Sequence, residues 1–101
     1  MILYSVTVNI DRSVEKEWVN WMKIKHIPDV LNTGLFESYK MYRLLNEEEN
    51  GGMTYSIQYL TATIENINKY LNEFAPKLMA EHNAKYKDKH VAFRTVLESV
   101  E

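Results

Sequence analysis

The run Trp18-Val-Asn-Trp-Met-Lys-Ile-Lys-His-Ile-Pro-Asp-Val-Leu-Asn-Thr-Gly-Leu-Phe36 constrains the fold more than any other part of the chain. Val14, Trp18, Trp21 and Met22 recur at helical spacing and form one apolar stripe, with Lys16, Asn20 and Lys23 on the wet side. Such a stripe, carrying both tryptophans, requires an apolar surface to lie on. Pro28 withholds a backbone donor and pushes Ile27 toward an extended conformation. The same proline suits the first position of a new helix with Asp29 in its first turn. Gly34 fits the left-handed position that ends one. The spacing therefore predicts a helix near 13–26, a short one near 28–33, and a strand after them.

The flanking segments supply the surface. Residues 2–10 alternate, Tyr4, Val6, Val8 and Ile10 against Ser5, Thr7 and Asn9 with Leu3 among them, which is the period of a strand. Residues 35–45 and 53–62 read as two further strands, joined by the polar run 46–52 with its turn-forming Asn50-Gly51. Ile64, Ile67, Leu71, Phe74, Leu78 and His82 mark a second amphipathic helix, capped by Thr61 or Thr63 and kinked or restarted at Pro76. Residues 91–100 are a fourth strand. The order is βα-ββ-αβ, an α+β chain of the ferredoxin-like kind with a four-stranded antiparallel sheet. Right-handed crossovers place both helices on one face.

At 101 residues the chain is read as one domain spanning 1–101 and large enough to bury a core unaided. A formal charge of −2 gives no electrostatic case for nucleic acid or an anionic membrane, and no stretch approaches a membrane span. With no cysteine, disulfides and thiolate chemistry are excluded, in keeping with a cytoplasmic setting. The alternating N-terminus is a strand, not a signal peptide.

Two helices shelter one side of a sheet. Outside the first strand, both faces of every strand carry apolar or aromatic groups, more than a solvated face requires. The expectation is a homodimer through the open sheet face, closing a two-fold barrel.

Three stretches also carry a resemblance: Met1-Ile-Leu-Tyr-Ser-Val-Thr-Val-Asn-Ile10, the central run through Met22-Lys23, His26-Ile-Pro-Asp-Val-Leu31 and Thr33-Gly-Leu-Phe36, and Val91-Ala-Phe-Arg-Thr-Val-Leu-Glu98. Over nearly its whole length the chain resembles the small bacterial proteins of domain-of-unknown-function family 4286. The resemblance implies a ferredoxin-like dimeric α+β barrel and brings no activity with it. Small oxygenases and isomerases share that architecture, which is analogy of fold only.

Candidate chemistry is sparse. His26 either caps the first helix at its negative end or, beside Asp29, acts as a general base. His82, on an apolar stripe, is either a core residue bonded to a carbonyl or tyrosine hydroxyl, or a ligand for metal or haem. His90 falls in a polar connection and reads as solvated. The three histidines lack ligand spacing, so neither a metal nor any other cofactor is expected. Trp18 and Trp21 anchor the helix or stack a planar ligand. Arg43 and Arg94, if on the open face, pair with Glu37 and Glu98 or clamp an acidic ligand. Glu47–Glu49 read as a charged hairpin tip.

Two function classes remain. One is a binding or structural homodimer; the other is a cofactor-independent oxygenase or isomerase using His26, Asp29, Tyr55 and His82 in the cleft between helices and sheet, on an unidentified small molecule. A cleft of about 300 Å³ with two of these groups converging points to the enzyme. A cleft filled by Trp18, Trp21 and Phe74 points to the other.

Overall fold

The structure, a computed structural model, describes residues 1–45 and 51–101. Its elements run β1 (Ile2–Asp11), a 3₁₀ turn (Arg12–Val14), α1 (Glu15–Trp21), a π-helical turn (Met22–His26), α2 (Ile27–Leu31), β2 (Ser38–Arg43), β3 (Gly52–Thr61), α3 (Ile64–Glu73), α4 (Ala75–Lys85) and β4 (His90–Glu98). The four strands form one antiparallel sheet in the order β2-β3-β1-β4. The polar run expected to turn the β2–β3 hairpin lies, at 46–50, outside the described residues; Gly51 beside it takes a φ of 79°.

Alternation in β1 does what its period dictates. Tyr4, Val8 and Ile10 are buried, and the register sets Tyr4 beside Tyr59 and Val8 beside Tyr55. Tyr4 meets Tyr70 of α3, while Tyr55 meets Trp18 of α1. Both helical arms thus touch the same side of the sheet, and the core fills the space between.

The helical arms depart from expectation in two places. Pro28 does not break the first one, and Ile27 is helical (φ −61°, ψ −46°) instead of extended. The helix widens instead. The Ile27 N–H bonds the carbonyl of Met22, five residues back, so the turn opens where the proline ring would otherwise press on the preceding carbonyl. Helical backbone then continues to Leu31, past the expected break, and Gly34 takes its left-handed φ of 78° just beyond. In the second arm the backbone breaks at Phe74 (φ −120°), and Pro76 opens α4. That break resets the helical phase. Ile67 and Tyr70 point inward from α3, and Leu78 and His82 from α4, while Ile64 and Leu71 of the expected stripe lie exposed.

Two aromatic clusters divide the core. Tyr4, Phe36, Tyr59 and Tyr70 pack together at one end, some stacked and some edge-on, with ring centroids 5.2–6.2 Å apart. Trp18, Trp21, His82 and Tyr86 occupy the other.

Candidate functional site

Between the two clusters lies a cavity of about 20 Å³, walled by Tyr4 and Val6 of β1, Ile57 and Tyr59 of β3, Met22 and His26 of the π turn, Val30, Tyr70, Met79 and Arg94. Met22 and His26, four residues apart at the two ends of the π turn, reach it from one helical face. The volume is that of a single water-sized group. It is far from the roomy cleft that an empty, preformed enzyme site requires.

His26 stands apart among the lining residues. Its Nδ1 is buried without a hydrogen-bond partner. Burial drives its pKa down to about 4, against the opposing pull of Asp29 and Glu81, so the ring is neutral near pH 7. It does not terminate a helix, and it is not hydrogen-bonded to Asp29. Asp29 faces outward, bonded to Lys25 at 2.5 Å, and Lys25 also reaches Glu81 at 3.5 Å. That trio lines an outer groove between the two helical arms together with Phe74.

His82 packs against His26, with ring centroids 5.7 Å apart. Its Nε2 accepts the indole N–H of fully buried Trp18 at 2.9 Å. It is a core residue held by a tryptophan, not by a carbonyl or tyrosine, and its lone pair is used up. Burial, with His90 and His26 nearby, holds its pKa down to about 4. His90 is half-buried, not solvated. Its ring lies 4.7 Å from that of His82, with Nδ1 at 2.9 Å from the Tyr86 carbonyl and Nε2 at 3.0 Å from Asn83 Oδ1. The fold therefore gathers three histidines that the sequence keeps far apart. Among the described residues no group of side chains has the geometry to hold a metal ion.

Trp21 packs at a tilt against His26 and His82 and edge-on to Tyr86, with Lys85 Nζ 6.0 Å from its ring centre. Tyr55 turns away from the cavity and donates its hydroxyl to Glu15 at 2.6 Å. The arginines need correcting. Register places Arg94 beside Val6 and Arg43 beside Tyr55, on the helix side and not on the open face. Neither forms the expected ion pair with Glu37 or Glu98; among the described residues the pairs are Lys25–Asp29, Lys25–Glu81 and Lys85–Glu17. Of the residues singled out in the sequence, only His26 and Arg94 meet at the cavity.

The sequence profile of the domain of unknown function DUF4286 matches residues 1–100. The chain belongs to the DUF4286 family. Comparison with curated proteins finds no sequence match for this DUF4286 domain. Solved structures share its fold at low identity. A dimeric ferredoxin-like protein from an uncultured marine organism superposes with a TM-score of 0.70 at 12% identity, covering 99% of this chain and 95% of its own. An ethyl tert-butyl ether d (ethd) family protein from Bacillus halodurans gives 0.68 at 12%, covering 99% and 100%. SnoaB, a cofactor-independent oxygenase from Streptomyces nogalater, gives 0.66 at 9%, covering 99% and 94%. At such identities the likeness is one of fold alone. Among the described residues of the DUF4286 domain, no helix is long and apolar enough to cross a membrane.

Tyr4 and Tyr70, unremarked as site residues in the sequence, also line the cavity of the DUF4286 domain. Burial raises the pKa of both hydroxyls, and the Arg94 guanidinium partly opposes it. The alternation of β1 is the one sequence signal that could have placed Tyr4 there.

Proposed function

We propose that this DUF4286 domain acts as a cytoplasmic homodimer in a binding or structural role: a ferredoxin-like βαββαβ fold, both helical arms on one face, closed into a dimeric α+β barrel through the other. The observation that carries this reading is the bare side of the sheet. There Val91, Phe93 and Leu97 of β4 and Tyr42 of β2 are exposed at 71, 61, 43 and 49%, large apolar groups on both outer strands of a face that no helix covers, of the kind that mark an interface.

The register supports self-pairing. Across the bare face the rows read Leu97-Leu3-Leu60-Ser38, then Thr95-Ser5-Gln58-Lys40, then Phe93-Thr7-Ser56-Tyr42. A two-fold axis parallel to the strands, between β1 and β3, lays β1 on the second copy's β3 and β4 on its β2. Leu3 then meets Leu60 with Leu97 over Ser38, Phe93 meets Tyr42, and the polar row stays with itself. Such self-complementarity is what an isologous interface needs. The fold neighbour described as dimeric lends further support.

Phe93→Glu tests the reading, because it places two buried charges in such an interface while touching nothing in the helix-side core. The expected result is loss of the dimer in sedimentation velocity with an unchanged far-UV spectrum. A Phe93→Glu variant that sediments like the unaltered protein contradicts it.

A second reading, a small cofactor-independent oxygenase or isomerase acting in the cleft between helices and sheet, is favoured by one observation. His26 lines the cavity with a buried ring nitrogen that has no hydrogen-bond partner among the described residues. The ring is neutral near pH 7, the state from which a general base acts, although a pKa of about 4 makes it a weak base.

A further inference from the structure

Arg94 lines the cavity from β4, and among the described residues no carboxylate pairs with it. The acidic groups acting on neighbouring His26 are Asp29 and Glu81, and both are engaged by Lys25. Arg94 is thus a guanidinium at the edge of an apolar cavity with no direct ion pair among the described residues. His26 lines the same cavity, and its Nδ1 is buried with no hydrogen-bond partner among the described residues. Tyr4 of β1, whose hydroxyl interacts with the Arg94 side chain, lines the cavity with them.

We infer that this cavity binds a small carboxylate, with Arg94 holding one oxygen and the neutral Nδ1–H of His26, aided by the Tyr4 hydroxyl, holding the other. The inference rests on the cleft being a ligand site and adds the chemical class of the ligand. Three features favour a monoanion with an apolar body. A single cation lines the cavity, so a doubly charged phosphate is poorly balanced. The planar guanidinium matches a carboxylate. The volume of about 20 Å³ admits one oxygen-sized group before the wall moves, and the rest of that wall is Val6, Val30, Ile57, Met22 and Met79 with the rings of Tyr59 and Tyr70. The two methionines, unbranched and adaptable, are the part of the wall that can repack around an apolar substituent.

The test is an NMR titration of the full chain with acetate and benzoate, against acetamide and benzamide as uncharged shape-matched controls. The signals followed are the His26 ring nitrogens and the Arg94 guanidinium. The expected result is a saturable shift of both with the carboxylates and none with the amides. Binding weakens about tenfold or more in Arg94→Gln, the scale of losing one charge-assisted contact. Arg94 is exposed, so this variant keeps its fold, and its amide spectrum verifies that in the same experiment. If the amides bind as well as the acids, or Arg94→Gln binds benzoate unchanged, the carboxylate inference falls while a ligand site in the cleft stands. If neither acids nor amides perturb His26 or Arg94, the inference and the cleft reading fall together.

Discussion

His82 shows how a single contact decides what a side chain is for. From the sequence, leucine in its place looks harmless or helpful, since the position lies on an apolar stripe. The structure reverses that expectation, because the Trp18 indole N–H ends on His82 Nε2. Leucine would leave a fully buried donor unsatisfied, at a cost of about 1–3 kcal/mol. Urea unfolding of His82→Leu, Trp18→Phe and the double variant tests this. The double variant should lose less than the two single losses added together, because each single change strands the other's polar group. The same bond governs acid behaviour. His82 must release the indole to take up a proton, and His26 has no partner to receive one. Both pKa values stand lowered to about 4, so the unfolded chain binds protons that the folded one refuses. Stability contributed by these rings is complete above about pH 6.5. It declines as pH falls from there toward 4, by on the order of 3 kcal/mol for the pair after allowance for partial solvent access. Denaturant midpoints recorded across that range, in the unaltered protein and in His26→Leu, check the sign: the slope with pH should be shallower in the variant.

At the scale of elements, strand existence and order were legible because a two-residue period is a local property of the chain. Orientation was legible only for β1. In β4 both faces carry apolar groups, so counting by twos gave no phase, and Arg94 could be assigned to a side only through its pairing with Val6. The π turn was invisible for a different reason. Pro28 was read through the cost it imposes on a regular helix, whereas the widened turn at Met22–His26 removes that cost without breaking the helix. The histidine cluster was equally illegible, since residues 26, 82 and 90 meet through packing between three elements. Caps are the opposite case. Thr63 accepts the Asn66 N–H at the start of α3, as its place ahead of the apolar stripe suggested. Thr63→Ala should lower the unfolding free energy by about 1 kcal/mol in chemical denaturation. A change near zero would mean that the cap is replaced by water at no loss.

For the whole molecule, the division of labour follows from the number of helices. Two helical arms cover one side of a four-stranded sheet, and the histidines, tryptophans and cavity all lie on that covered side. The other side contributes nothing to the core of a single chain, yet its two outer strands expose Val91, Phe93, Leu97 and Tyr42. The proposed binding of a small acid and the proposed pairing of sheets are therefore separable: changing Arg94 should leave assembly intact, and changing Phe93 should leave the cavity intact. Light scattering coupled to size-exclusion chromatography, at micromolar concentration on the unaltered protein, tests the pairing most directly. The account predicts twice the chain mass of 12.0 kDa; a single species at 12.0 kDa would contradict it.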